Sequence, residues 1–145
     1  MKTFLSTLSA FALLATAAFA VPAGWTDDYE KAVAQAKAEN KLVFLDFTGS
    51  DWCGWCMKLD REVFSHQEFK NYAKDKLVLV EVDFPQGKHQ TTKVKAQNAK
   101  LQKQFAVQGY PTIIVLNSDG KKIGQLGYME GGPNNFVAKL DALKK

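Results

Sequence analysis

Leu42-Val43-Phe44-Leu45-Asp46-Phe47-Thr48-Gly49-Ser50-Asp51-Trp52-Cys53-Gly54-Trp55-Cys56 joins a nearly continuous apolar run to a loop, and then to the only two cysteines of the chain. The run 42–47 predicts a short strand covered on both faces, and residues 48–51 read as its connecting loop. From Cys53 the pattern turns helical, with Cys56, Leu59, Val63 and Phe64 on one side and Lys58, Arg61 and Glu62 on the other. A cysteine that opens a helix sits where the first N–H groups point outward unpaired and the helix dipole favours negative charge. Its thiolate is stabilised, so its pKa is expected below the free value of about 8.5. Cys53 is therefore the expected attacking sulfur. Cys56, one turn further in, is the sulfur expected to resolve a mixed disulfide. Gly54 is expected to keep the turn into the helix open, and Trp55 to set local shape and solvent access.

Outward from this stretch the elements alternate. Before it, Thr26 is placed to cap a first helix, with Asp27 and Asp28 at its positive end. Tyr29, Val33 and Ala36 recur there at helical spacing, and Asn40 stops the helix. After the motif, Ser65 marks a break and caps a second helical piece with Phe69, Tyr72 and Ala73 inward. Residues 77–84 predict a second buried strand and 85–90 a polar loop. A further helix keeps Val94, Leu101 and Phe105 on one face. Gly109-Tyr110-Pro111 turns into a third strand, 112–116, and Asn117-Ser118-Asp119-Gly120 is a hairpin turn into a fourth, 121–128. Gly131-Gly132-Pro133 ends it, and Phe136, Leu140 and Leu143 line a last helix. This order predicts parallel pairing through crossover helices and a late antiparallel edge.

The first twenty residues, 1–20, read as a cleaved export signal. Lys2 supplies positive charge, residues 4–19 are apolar or small, and Ala18-Phe19-Ala20 offers a cleavage site before Val21. The apolar stretch is short for a membrane span and is interrupted by serines and threonines, so stable membrane insertion is not expected. Residues 21–145 are then a single domain of 125 residues, long enough for a real core. Without Lys2, 18 basic residues face 15 acidic ones. That mild excess, spread over several helices, points away from nucleic acid. A ring closed by two cysteines three residues apart removes little entropy from the unfolded chain. The core must hold the fold, which leaves the cysteines free for chemistry. A periplasmic or secreted location puts them where protein disulfides are made and exchanged.

Three separated motifs carry a resemblance. Leu45-Asp46-Phe47, Trp52-Cys53-Gly54-Trp55-Cys56 and Gly109-Tyr110-Pro111-Thr112 resemble the thioredoxin superfamily, and within it the small exported proteins carrying D-F-T-G-S-x-W-C-x-W-C. The resemblance implies an α/β fold, a three-layer sandwich with a central mixed sheet of about four strands flanked by helices. It implies thiol–disulfide exchange on protein substrates without cofactor or metal, and a redox partner that resets the pair. Pro111 matches the cis-proline that lies against the active disulfide and leaves a backbone edge for substrate; only proline adopts cis at low cost. Asp46 matches the buried acid beneath the cysteines, a proton acceptor for the resolving thiol whose pKa burial would raise. Trp52 matches the tryptophan packed beside the disulfide. Trp52, Gly54, Trp55, Tyr110 and Pro111 form the expected substrate-contacting set.

The chain also departs from that pattern. The connection 48–51 is one residue longer than usual, and the segment 85–106 is extended. Glu81 stands where many relatives carry a lysine near the buried acid. The Gly-Trp spacer is neither the Gly-Pro of reducing thioredoxins nor the Gly-His of protein disulfide isomerase, so the direction of electron flow stays open. Other readings stand beside the redox one. The cysteines could form a merely structural disulfide in a polypeptide-binding or chaperone-like module, or half of a zinc site. Zinc takes four ligands, and the remaining candidates are His66, down the helix, and His89, in a polar loop. Asp46 could be a strand-end acid facing solvent. Trp52 and Trp55 could be core or rim aromatics, although an indole exposed beside a reactive disulfide offers an apolar surface to unfolded polypeptide. Nothing marks a dimerisation domain, and a monomer is expected.

Overall fold

In the computed structural model, which describes residues 21–144, the chain runs as β1 (Trp25–Thr26), α1 (Tyr29–Glu39), β2 (Leu42–Thr48), α2 (Gly54–Leu59), a π-helical turn (Asp60–Phe64), α3 (Gln67–Lys76), β3 (Leu77–Asp83), α4 (Thr92–Gln104), β4 (Thr112–Leu116), β5 (Lys122–Leu126) and α5 (Gly132–Ala142). The export signal expected at 1–20 lies outside the described residues. The strands form one sheet in the order β1-β3-β2-β4-β5. β2 and β3 pair in parallel along their whole length, from Leu42↔Leu77 to Thr48↔Asp83. β4 lies antiparallel to both β2 and β5.

The mixed sheet flanked by helices is the α/β architecture expected, but it has five strands rather than about four. The additional strand is Trp25–Thr26, parallel to Leu79 and Val80. Two residues cannot display the alternation by which a strand is read. Tertiary packing holds it instead, since the Trp25 ring meets Phe44 edge-on at 5.9 Å and Phe64 at 5.4 Å. The first helix accordingly starts later than expected. Thr26 accepts the Asp28 N–H at 3.1 Å, and Asp28 caps α1 by accepting the Lys31 N–H at 3.1 Å. Asn40 ends α1 as expected, in the left-handed region at φ 51°.

Side-chain alternation sorts the core onto two faces of the sheet. Val43, Leu45 and Phe47 join Val78, Val80 and Val82, covered by Ala32 and Ala36 of α1 and Leu101 of α4. Phe44, Leu77 and Leu79 point the other way and pack with Leu59, Phe64, Phe69 and Phe136. The same period puts Asp46 and Glu81, register partners across β2 and β3, on this second face.

Beyond Leu59 the helix opened by the cysteine motif widens into the π-helical turn. There the Ser65 N–H reaches the Asp60 carbonyl at 2.9 Å, and the Ser65 hydroxyl donates to the Arg61 carbonyl at 2.9 Å. Ser65 thus closes the first helical piece, whereas α3 begins after the extended backbone of His66. β5 is shorter than the expected 121–128, and Tyr128 beyond it packs against the second core face. No helix among the described residues is long and apolar enough to cross a membrane.

Candidate active site

The chain leaves β2 at Thr48 and turns at Gly49, whose carbonyl accepts the N–H groups of Trp52 at 3.2 Å and Cys53 at 2.8 Å. A Cβ at Gly49 would run into the Trp52 indole, so only glycine permits this approach. Cys53 then occupies the N-cap of α2 and is disulfide-bonded to Cys56, with Cα atoms 5.2 Å apart. Its Sγ accepts the Cys56 N–H at 3.3 Å, one of the otherwise unpaired amides of the helix start. That amide and the helix dipole favour negative charge at Cys53 once the pair is reduced. Cys53 and Cys56 are only 7% and 5% exposed, whereas Trp52 and Trp55 are 41% and 57% exposed. The disulfide forms a floor between two open indoles.

Each indole is held. Trp52 Nε1–H donates to the Phe84 carbonyl at 2.8 Å, and its ring stands edge-on to Tyr110 at 5.9 Å. Tyr110 stacks on Phe84 at 5.2 Å, and its hydroxyl accepts from Gln102 Nε2 at 2.8 Å. The Tyr110–Pro111 peptide bond is cis. Thr112, next in the chain, pairs with Phe47, which brings Pro111 to the sheet end that carries the cysteine loop. On the other flank Trp55 meets Tyr128 at 5.1 Å, and Lys58 Nζ lies 5.0 Å and 4.8 Å from their centroids. The Tyr128 hydroxyl donates to Glu62 at 2.7 Å. The space beside Gly54 is open and its backbone is not left-handed.

The connection 48–51 and the loop after β3 hold each other. The Asp51 carboxylate accepts the N–H groups of Gln86, Gly87 and Lys88 at 3.0, 2.7 and 3.1 Å, and these bonds lower its pKa. Ser50 donates to the Asp83 carboxylate from its N–H at 2.9 Å and its hydroxyl at 2.6 Å. Lys88 Nζ donates in turn to the Ser50 hydroxyl at 3.0 Å. The connection before the cysteines and the loop after β3 therefore form one docked unit.

Behind Cys56 lies a cavity of about 230 Å³ whose wall includes Asp46, Asp60, Glu81 and Lys88. Asp46 is 8% exposed, and its Oδ1 has no hydrogen-bond partner. Burial, reinforced by the negative charges of Glu81, Asp60 and Asp83, holds its carboxyl well above the usual range. Glu81 is pushed up to about 7 by burial and by Asp83, with Lys88 pulling the other way. Asp60 and Lys88 escaped the reading of the sequence. Asp60 carried a signal, since it follows Cys53 and Cys56 at helical spacing. Lys88 carried none, because it reaches the cavity only through the docking of its loop. His66 lies 4.0 Å from the Glu68 carboxylate. Among the described residues no group of three or more His, Cys, Asp or Glu side chains is arranged to hold a metal ion.

Residues 29–144 match the family of thioredoxin-like domains. The disulfide bond reductase DsbH of Chlamydia pneumoniae is 36% identical over 119 residues, covering 82% of this chain and 72% of DsbH. The thioredoxin-related protein DsbJ of the same organism is 32% identical over 103 residues, covering 71% of this chain but 30% of DsbJ. The solved structure of a DsbH oxidoreductase matches with a TM-score of 0.78 at 33% identity, over 97% of this chain and 94% of that one.

Proposed function

We propose, from the fact that this chain belongs to the thioredoxin-like domain family and is a thiol–disulfide oxidoreductase, that its Cys53–Cys56 couple reduces disulfides of exported proteins. In the reduced form the Cys53 thiolate attacks one sulfur of a substrate disulfide. The substrate S–S bond breaks, one sulfur leaves as a thiolate, and Cys53 is joined to the other. Cys56 gives up its proton to Asp46 and attacks the Cys53 sulfur. The second substrate sulfur then leaves, and the Cys53–Cys56 bond forms. Two electrons have passed to the substrate, and a redox partner supplying two electrons resets the pair. Trp52, Trp55, Tyr110 and Pro111 frame the opening that the substrate chain occupies, and Gly54 admits it to Cys53. The domain works as a monomer on protein substrates, without cofactor or metal.

The observation that carries this reading is Cys53 at the N-cap of α2, its sulfur facing the Cys56 amide, with a buried carboxyl sharing the cavity behind Cys56. The direction is supported by the relative DsbH, a disulfide bond reductase. Export is supported by the signal pattern of residues 1–20. The test is reduction of insulin disulfides by the wild type and by Cys53→Ser. Loss of turnover in the variant is expected, and unchanged turnover overturns the assignment. Equilibration against a glutathione series decides the direction: a potential near about −270 mV fits a reductase, and one near about −120 mV overturns it.

A further inference from the structure

We propose that Glu81 is the outlet through which the Asp46 carboxyl exchanges the Cys56 proton with solvent, and that Lys88, brought in by the docked loop, sets the charge of Glu81. The inference rests on Cys56 being the resolving sulfur. A proton delivered to Asp46 has to leave before the next turnover. Asp46 is 8% exposed, its Oδ1 meets no donor or acceptor, and its carboxyl borders the cavity that Glu81 and Lys88 also line.

Glu81 supplies the route. It is the register partner of Asp46 on the adjacent parallel strand, on the same face of the sheet, with backbones about 4.8 Å apart. Glu81 is half-buried and Lys88 exposed, so Asp46, Glu81 and Lys88 step from interior to surface. All three line the same cavity as Cys56, and its volume of about 230 Å³ and polar wall suit bridging water. The two carboxyls do not ionise independently, since the negative charge of Glu81 adds to burial in holding the Asp46 carboxyl up. The groups facing Glu81 are Asp46 on β2, Asp83 on β3, Asp60 on the π-helical turn, Asp27 ahead of α1 and Lys88 on the loop. Lys88 is the one cation among them. Its ammonium is anchored on the Ser50 hydroxyl at 3.0 Å.

In the resolving step Glu81 releases its proton to water, and Asp46 takes the S–H proton of Cys56. The Cys56 sulfur bonds to Cys53, and the bond from Cys53 to the substrate sulfur breaks. Reset of the pair runs the same path inward. Glu81 touches neither substrate nor sulfur; it is a positioning residue that keeps Asp46 able to accept.

The test uses the reduced full chain and 5,5′-dithiobis(2-nitrobenzoate) in stopped flow. The first thionitrobenzoate released reports attack by Cys53, and the second reports resolution by Cys56. For the wild type, the second rate is expected to rise through an inflection near pH 7, the value to which Glu81 is pushed. Glu81→Gln is expected to slow the second phase about tenfold or more, to remove the inflection, and to leave the first phase unchanged. Glu81→Asp restores the inflection, and Lys88→Met moves it to higher pH. A second phase in Glu81→Gln with the wild-type profile, or one merely slower with its inflection kept, overturns the proposal. Should Glu81→Gln fail to fold by circular dichroism, the Lys88→Met shift decides alone. Absence of any fast first phase in the wild type would instead count against the assignment of Cys53.

Discussion

Phe44 and Asp46 stand two residues apart on one strand and face the same side of the sheet, yet their contributions oppose each other. Phe44 is fully buried, with the rings of Trp25, Phe64, Phe69 and Phe136 all within 6.2 Å of its own. Truncation to alanine removes the hub of that cluster and leaves a cavity. Phe44→Ala is expected to cost about 3–5 kcal/mol in denaturant unfolding of the oxidised protein. A loss below about 1 kcal/mol would mean that the cluster collapses around the gap. Asp46 stands in the same wall with its Oδ1 unpartnered, and its burial costs stability. Its place in the site was legible because a lone acid interrupts an apolar run just before the cysteine loop. Cys53 and Cys56 were legible from their spacing together with the strand before them and the helix they open. Only the resemblance placed Glu81 near Asp46; their pairing is a matter of strand register, which no neighbouring residue encodes.

At the scale of elements, the docked loops fix the connection that leads into the disulfide. Asp51 gathers three consecutive backbone N–H groups, and Ser50 binds Asp83, so the loop after β3 is fastened to the loop before α2. Asp51→Ala removes the acceptor of all three amides. Hydrogen exchange at Gln86, Gly87 and Lys88 is expected to accelerate, while the central amides of β2 keep their protection. Equal protection in the variant would show that the Ser50–Asp83 bonds suffice. The elements that the sequence concealed share one trait. β1 is two residues long and lacks a period, and the π-helical turn looks like ordinary helix by composition. Both are held by packing, β1 through the Trp25 ring and the turn through Val63 and Phe64 in the core.

For the molecule as a whole, the buried carboxyls tie stability to pH. Asp46 and Glu81 hold protons in the folded state that the unfolded chain has already released. Their contribution is therefore fully present below their unfolded pKa values, about 4, and is lost as pH rises through the folded ones. For Glu81 the window runs from 4.5 to about 7, and for Asp46 it begins at 3.8 and extends upward. Asp28, Asp51 and Asp141, held low by their hydrogen bonds, act oppositely and only below 3.8. The melting temperature of the oxidised protein is thus expected to peak near about pH 4 and to fall toward pH 8. Asp46→Asn is expected to raise it at pH 8 by several degrees, roughly 1–3 kcal/mol, and to flatten the slope. A wild-type melting temperature that rises from pH 5 to pH 8 would contradict the burial of these two acids as charged groups.

Sequence by itself determined the alternation of strands and helices, the sorting of β2 and β3 side chains onto two faces, and a cysteine pair that opens a helix. These are properties of neighbours within a turn or a pleat, where the 3.6- and 2-residue periods and the backbone dipoles act directly. Tertiary structure alone decided the fifth strand, the docking of residue 51 on residues 86–88, and the meeting of Asp46, Glu81 and Lys88 behind Cys56. The strand pairings and the loop docking join residues more than thirty positions apart, where no local period reaches.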